Sequence, residues 1–269
     1  MKRLLCLLLL SLLLVGCGKK APQVPETPPV TETTTKTVYV HSSITRIQGN
    51  TTGRTDYIYN DDNLLTDVIM SDGEGNELQR YLVTCDENSN PIEWSSADGN
   101  MVTYTYDNRG RTLRTETYAG ETLMTSTEYT WSGNLRVSVV VKTASQEQRT
   151  EYAYDEKGGL TRQNLYVGGV LNGYGLYTLD EEGKATLCQT FYPEGEPLVE
   201  VVYEYEGNTE KRITKDLQGK IMQTQIMIYD DQGNLLQNDL LDATGAVVSS
   251  EIHEWLPVEV SVDAIRASV

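Results

Sequence analysis

The chain has 269 residues, of which 23% are charged and 39% are hydrophobic, a balance typical of a folded protein rather than a disordered one. Its formal net charge is −17, and a surface of this sign repels phosphate backbones and anionic lipid headgroups. Composition therefore argues against nucleic-acid binding and against membrane attachment through a basic patch.

The amino terminus has the organisation of a secretory signal. Two basic residues precede an apolar run over residues 4–15, which is too short for a membrane-spanning helix because such a helix takes about 20 residues. Residues 14–17 (Leu-Val-Gly-Cys) resemble the bacterial lipobox, in which the chain is cleaved before the cysteine and the cysteine is acylated. We therefore expect residues 1–16 to be a lipoprotein signal peptide and Cys17 to carry lipid.

The segment that follows has the composition of a spacer. Residues 17–37 contain four of the eight prolines together with many threonines, which favours an extended chain without a core of its own. At about 3.1 Å per residue, it could hold the next domain up to roughly 60 Å from the lipid. We predict a lipid-anchored protein of the cell membrane or outer membrane, facing the periplasm or the cell exterior.

From about residue 38 the sequence repeats a short pattern of two mostly aromatic residues, separated by one residue and followed by a polar turn. The second residue of the pair recurs every 21 to 26 positions, and a regular period of this size indicates repeat architecture. We call the two positions the first and second junction residues. The nine pairs are Tyr57/Tyr59, Val83/Cys85, Tyr104/Tyr106, Tyr129/Trp131, Tyr152/Tyr154, Tyr177/Leu179, Tyr203/Tyr205, Met227/Tyr229 and His253/Trp255.

Between the junctions the sequence alternates as half-buried strands do. Val199, Val201, Tyr203 and Tyr205 occupy alternate positions, and a period of two in β-branched and aromatic residues is typical of β-strands. Turns rich in Asp, Asn and Gly follow each junction and recur about ten residues later, which predicts antiparallel hairpins.

These patterns predict an all-β fold. We expect an antiparallel meander of about 16–18 strands over residues 38–257, built from β-hairpin repeats and curled into an open barrel, a spiral or a sandwich. Residues 258–269 would form a carboxy-terminal tail. The two end strands would be exposed edges, with acidic charge and Pro257 discouraging further pairing.

The junction pattern Tyr-x-Tyr-Asp-x-x-Gly resembles the YD repeat of Rhs-type bacterial proteins. Residues 104–111 and 152–158 match it most closely, whereas Cys85, Trp131 and Leu179 depart from it. The resemblance implies that each repeat adds one hairpin to a continuous sheet. Large Rhs shells that enclose toxins have many more repeats than this chain.

Residues with catalytic or ligand chemistry are few. The two histidines, His41 and His253, lie at opposite ends of the array, and we predict that they are polar strand residues rather than part of a metal site or a catalytic triad. We predict that Cys85 and Cys188 are packed free thiols. Acidic pairs fall in the turns, where solvated turn chemistry is the simpler interpretation than catalysis or calcium binding. We therefore assign no catalytic, cofactor-binding or metal-ligating residues.

The functional prediction is a non-enzymatic binding or structural module. Its partners would be the membrane, through the amino-terminal lipid, and possible glycan, peptide or protein ligands, but not nucleic acid. Rows of tyrosines could present a binding platform, although their register with the repeat favours packing between strands. Two alternatives stay open: a cell-envelope carbohydrate hydrolase using turn carboxylates, and a fragment of an Rhs-like contact or secretion system.

Acylation of Cys17 is directly testable. In the native host, the mature amino-terminal peptide should begin at Cys17 and carry acyl chains, which mass spectrometry would detect. Cys17→Ser should abolish acylation and release the protein from the membrane fraction, because lipid is the predicted anchor. An unacylated amino terminus in the wild-type protein would refute this assignment.

Overall fold

The computed structural model describes residues 35–261, which form eighteen β-strands and no helix. The signal peptide, Cys17 and most of the predicted tether and tail lie outside this range. The described residues include no helix with the length and apolar character required to cross a membrane. The strands are β1 (Thr35–Gln48), β2 (Thr51–Tyr59), β3 (Leu65–Asp72), β4 (Glu77–Cys85), β5 (Pro91–Ser96), β6 (Asn100–Tyr106), β7 (Thr112–Ala119), β8 (Thr122–Ser132), β9 (Leu135–Thr143), β10 (Glu147–Tyr154), β11 (Leu160–Val167), β12 (Val170–Leu179), β13 (Ala185–Phe191), β14 (Pro197–Glu206), β15 (Thr209–Lys215), β16 (Ile221–Tyr229), β17 (Leu235–Asp242) and β18 (Val247–Ser261).

The strands form one antiparallel meander in which each strand pairs with its neighbours in the sequence. In addition, β1 pairs with β18, so the sheet closes into a barrel. The predicted all-β meander of 16–18 strands is therefore confirmed. The ninth repeat is completed across this closure, because β18 supplies its first strand and β1, from the other end of the chain, supplies its second.

The prediction of exposed end strands was wrong. β1 and β18 form thirteen residue pairs, and we call this ladder the closing seam. Pro257 does not prevent pairing, since it lies within β18 opposite Tyr39. The physical reason is that open edges would leave two rows of backbone N–H and C=O groups unpaired, whereas closure pairs them with each other.

The hairpin turns have the geometry that their Asp and Gly residues predict. In the turn after β6, the backbone N–H of Asp107 donates to the carbonyl of Arg111 (2.9 Å), and that of Gly110 donates to the carbonyl of Asp107 (3.1 Å). The Asp107 carboxylate accepts the N–H groups of Arg109 and Arg111. Gly110 has a φ of 72°, which glycine adopts without steric cost. The same carboxylate or amide arrangement recurs at Asn60, Asp72, Asp86, Asp155, Asp180, Asp216, Asp230 and Asp242.

The two faces of the sheet differ in character. Val68 lies opposite Tyr57 in the ladder, and Val201 lies two positions before Tyr203, so both valines share the face of the first junction tyrosines. A sheet that closes into a barrel buries the face towards which it curves, and we call this face the concave face. Val68 and Val201, with 2% and 1% exposure, lie on it.

The convex face carries ion pairs between residues at alternate positions or on adjacent strands. Examples are Arg54–Asp56 (2.7 Å), Arg80–Asp67 (3.1 Å) and Lys211–Glu204 (3.1 Å). Charged pairs of this kind are stable in contact with water, where they contribute little to folding. The concave face therefore points into the barrel and the convex face points outwards, although Arg46–Glu251 and Arg212–Glu210 form ion pairs on the concave face.

The second junction residues connect each repeat to the previous one. In seven of the nine repeats within residues 35–261, the side chain at this position donates a hydrogen bond to a backbone carbonyl in the preceding odd-numbered strand. We call the set the hoop. Its bonds are Tyr59 Oη to His41 O (3.0 Å), Cys85 Sγ to Leu65 O (3.7 Å), Tyr106 Oη to Pro91 O (2.7 Å), Trp131 Nε1 to Thr112 O (2.9 Å), Tyr154 Oη to Arg136 O (2.7 Å), Tyr205 Oη to Ala185 O (3.0 Å) and Trp255 Nε1 to Leu235 O (2.8 Å).

The hoop explains why Tyr, Trp and Cys can substitute for one another at this position, since each can donate. It also crosses the closing seam, because Tyr59 bonds to His41, and His41 lies opposite Trp255 in the ladder. The two interruptions follow from chemistry: Leu179 has no donor, and the Tyr229 hydroxyl lies 3.6 Å from the Met227 sulfur instead.

Removing one hoop hydroxyl should destabilise the barrel. Tyr106→Phe deletes the bond to Pro91 O, and we expect a loss of about 1 kcal/mol in the free energy of unfolding, since such a bond contributes roughly 0.5–1.5 kcal/mol. Urea denaturation would measure it as a lower midpoint with an unchanged slope. The matched control is Tyr104→Phe on the same strand, where no hydrogen bond is lost; equal effects of the two changes would contradict the hoop.

Candidate binding site at the junction rim

The turns after the even-numbered strands lie at one end of the barrel, which we call the junction rim. β1 begins at this end and β18 finishes there. The second junction residues lie just inside the rim, next to the turns that follow them. The rim therefore combines aromatic side chains with the carboxylates and amides of the turns.

A cavity of about 330 Å³ opens at this rim between the turns that follow β4 and β6. It exists because β5 and β6 are paired only from Glu93–Thr103 to Ser95–Met101, so that their rim ends separate. Pro91 lies in the separated part and has no backbone N–H with which to extend the ladder. We call this gap the split.

Aromatic side chains form one side of the split. Tyr104 and Tyr106 line the cavity, with ring centroids 6.5 Å apart and planes inclined by 13°. Tyr106 is fixed by its hoop bond, whereas the Tyr104 hydroxyl makes no hydrogen bond among the described residues. Trp94 lies behind Tyr104 at 5.7 Å, and its Nε1–H is buried without a partner within residues 35–261.

Polar turn groups form the other side. Asp86 and Asp107 line the cavity, and both carboxylates are held by backbone N–H groups. The pKa of Asp107 is lowered to about 2, chiefly by the hydrogen bond from Arg111. The pKa of Asp86 is also lowered, because hydrogen bonds from Asn90 and the turn backbone outweigh the effect of burial. Both carboxylates are therefore ionised at neutral pH, and that of Asp107 is paired with Arg111.

Two further side chains of the cavity are available for a ligand. Asn88 and Asn108 line it, and within the described residues their side-chain amides have no hydrogen-bond partner. An amide offers both donors and an acceptor, which together with aromatic rings suits ligands rich in hydroxyl or amide groups. Sequence analysis did not single out these residues. The signals that could have done so are Pro91 and the spacing of 21 residues between Cys85 and Tyr106, the shortest in the array.

His41 and His253, at opposite ends of the array in the sequence, are both strand residues as predicted. Closure brings them together, with Nε2 of His41 3.2 Å from Nδ1 of His253. The His41 ring also lies against Trp255, with centroids 3.7 Å apart and planes inclined by 31°. The two residues are 212 positions apart in the sequence and meet only because β1 pairs with β18.

The remaining sequence predictions have mixed outcomes. Cys85 and Cys188 are free thiols, as predicted. Within residues 35–261, no group of three or more His, Cys, Asp or Glu side chains could hold a metal ion. Cys17 lies outside the described residues, so its lipidation stays a prediction.

A protein-family model described as "Uncharacterised protein" matches residues 94–239, which is more than half of the chain. The chain belongs to this family. The matched region begins at Trp94 in β5 and ends in β17, so it includes the β6 side of the split but not Pro91 or the turn after β4, and it leaves out the closing seam. A search of the curated proteins found no match.

Solved structures with related folds were found at low sequence identity. A porin-like protein from Bacteroides uniformis is similar over 80% of this chain and 96% of its own, with 12% identity and a TM-score of 0.44. A porin-like protein from Bacteroides vulgatus is similar over 81% and 99%, with 11% identity and a TM-score of 0.37. The Tc holotoxin pore of Photorhabdus luminescens is similar over 74% of this chain but 18% of its own, with 14% identity and a TM-score of 0.18. These similarities carry no conclusion about function.

The low pKa of Asp107 depends on Arg111. Arg111→Met removes the side-chain hydrogen bond to Asp107, so the pKa of Asp107 should rise from about 2 towards 3.8. Carbon-13 NMR titration of the aspartate carboxyls would measure the change. Because the pKa is lower in the folded protein, the stabilisation by this carboxylate is complete above pH 3.8 and is lost as the pH falls towards 2.

Arg109→Met is the matched control, because this arginine contributes only its backbone N–H to the same carboxylate. The pKa of Asp107 should stay near 2 in that variant. An unchanged value in Arg111→Met would show that the backbone alone holds the carboxylate.

Proposed function

We propose that this protein is a lipid-tethered, non-catalytic binding protein of the cell envelope, and that the split at the junction rim binds a short glycan. The observation that carries the proposal is the cavity itself, which combines the Tyr104 and Tyr106 rings with the unpartnered amides of Asn88 and Asn108. At about 330 Å³ it is at the lower end of the size range of small-molecule pockets.

The chemistry of the cavity favours a neutral, hydroxyl-rich ligand. Sugar rings have apolar faces that pack on aromatic rings and hydroxyl groups that bond to amides and carboxylates. The negative charge of Asp86 and Asp107 disfavours an anionic ligand. A peptide is the other candidate, and the binding test below distinguishes the two.

The convex face supports attachment by lipid rather than insertion of the strands into a membrane. Arg54, Arg80 and Lys211 lie in strands on this face, each paired with an acidic residue. An Arg or Lys at the bilayer midplane of a membrane barrel costs about 2–4 kcal/mol. The lipobox-like residues 14–17 and the Pro/Thr-rich tether offer an anchor that leaves the barrel in water.

The turn carboxylates are better suited to structure than to hydrolysis. A glycosidase needs a general acid whose pKa is raised. Among the described residues, every Asp or Glu whose pKa is shifted is shifted downwards, mainly by turn hydrogen bonds. The resemblance to YD repeats concerns the junction residues and the hairpins. It does not extend to a toxin-related site.

Binding can be tested with the lipidated protein in detergent micelles. A glycan array and a peptide array would identify ligands, and calorimetry would measure their affinity. The double variant Asn88→Ala/Asn108→Ala should weaken glycan binding about tenfold or more, because it removes two ligand hydrogen bonds without touching the hoop or the turn carboxylates.

The matched control is Glu156→Ala, at the turn position equivalent to Asn108 in the repeat that contains Tyr152 and Tyr154. It should leave the affinity unchanged. If the protein binds peptides but not glycans, the proposed ligand class is wrong. If it binds glycans and the double variant binds them equally well, the split is not the site. Hydrolysis of a bound glycan would overturn the non-catalytic assignment.

A further inference from the structure

The closing seam is the one repeat of the barrel whose two strands have no connecting turn. In the other eight repeats, a short loop joins the two strands covalently, whereas β18 and β1 come from opposite ends of the described chain. The thirteen residue pairs of the seam and the side chains along it are therefore all that join these two strands.

The histidine pair lies within this seam, where the other repeats have residues that do not titrate near neutral pH. His253 is a first junction residue, a position at which six of the nine repeats have Tyr. His41 provides the carbonyl acceptor of the hoop, a position at which Leu65 and Leu235 serve other repeats.

The pair is arranged as two neutral rings. Nε2 of His253 lies 4.0 Å from Glu251 Oε2, and a proton on that nitrogen is favoured by the carboxylate. Nδ1 of His253 is then an acceptor for Nε2–H of His41 at 3.2 Å. His253 is only 9% exposed, and its Nε2 has no hydrogen-bond partner among the described residues. An additional proton would therefore place an unsolvated charge inside the seam.

The surroundings compensate for such a charge only in part. Burial disfavours a positive charge on His253 more than Glu251 favours it, and Glu251 already accepts a hydrogen bond at 2.7 Å from Arg46, whose guanidinium opposes that charge. From β2, the His41 ring faces Tyr57, which stays neutral because burial raises its pKa. Burial, followed by the charge of His253, lowers the pKa of His41 from 6.5 to about 4. Burial also lowers the pKa of His253.

We propose that the closing seam is an acid-sensitive closure, in which protonation of the His41–His253 pair releases β1 from β18 while the turn-connected hairpins stay folded. The released state binds protons more tightly than the closed state. The closure is therefore complete above pH 6.5 and weakens as the pH falls from 6.5 towards 4. Glu254, on the opposite face, stays ionised in this window, because hydrogen bonds from Ser43 and Arg54 lower its pKa.

Hydrogen exchange on the full lipidated protein tests this proposal, with intrinsic exchange rates corrected for pH. Between pH 7.5 and pH 5, protection should fall about 30-fold for the amides of residues 36–48 and 247–259 that donate between β1 and β18, the factor expected for one histidine whose pKa changes from 6.5 to about 4. Protection in residues 147–167 should change less than threefold. Equal protection of the seam at both pH values would overturn the proposal.

The matched variant gives the seam the residues of other repeats. His41→Leu with His253→Tyr removes both titrating groups, and seam protection should then differ less than threefold between the two pH values. The variant is informative only if its circular dichroism and its protection over residues 147–167 at pH 7.5 match the wild type. If it keeps the 30-fold loss, the histidines are not responsible and the proposal fails.

A second measurement does not depend on any variant. His41 and His253 are the only histidines in the chain, so imidazole NMR signals report on the pair alone. Their titration should begin below pH 6 and follow the loss of seam protection. Titration of both rings near pH 6.5 with the seam still protected would overturn the proposal.

Discussion

Pairing of β1 with β18 is the interaction on which the rest of the structure depends. A sheet of eighteen strands with one aromatic face cannot stay flat and open, because strand twist curls it and its two edges would leave backbone groups unpaired. The ladder between Thr35–Gln48 and Val247–Ser261 satisfies both edges together. Closure also places the face of the first junction residues inside the barrel and most of the ion pairs outside.

The two residues of each junction have different roles. Second junction residues such as Tyr106 and Trp131 fasten each hairpin to the previous one through the hoop. First junction residues such as Tyr104 turn their rings into the concave face, where the hydroxyl is free to meet a ligand. The same short motif therefore stabilises the barrel and lines its interior. A tyrosine can do both, because it has an aromatic ring and a hydroxyl, and this accounts for the excess of Tyr over Phe.

The candidate site and the acid-sensitive closure both occur where the repeat is irregular. At the split, Pro91 and a short hairpin interrupt the ladder and open a cavity between two turns. At the closing seam, the connecting turn is missing, and His41 and His253 replace the residues that other repeats use. In a regular array, neighbouring repeats provide the hydrogen-bond partners of each other's backbone and side-chain groups. Where a repeat is irregular, some of these groups are left available for a ligand or a proton.

Local chemistry in the sequence was sufficient for the fold class, the approximate number of strands and the Asp/Gly turns. Those features depend on residues a few positions apart, and a period of about twenty-five repeats them along the chain. Closure, the meeting of His41 with His253 and the opening of the split depend on contacts between distant segments, and only the tertiary structure decided them. Local periodicity does not tell whether the two end strands pair with each other, because each edge has the same unpaired backbone groups whether the sheet closes or stays open.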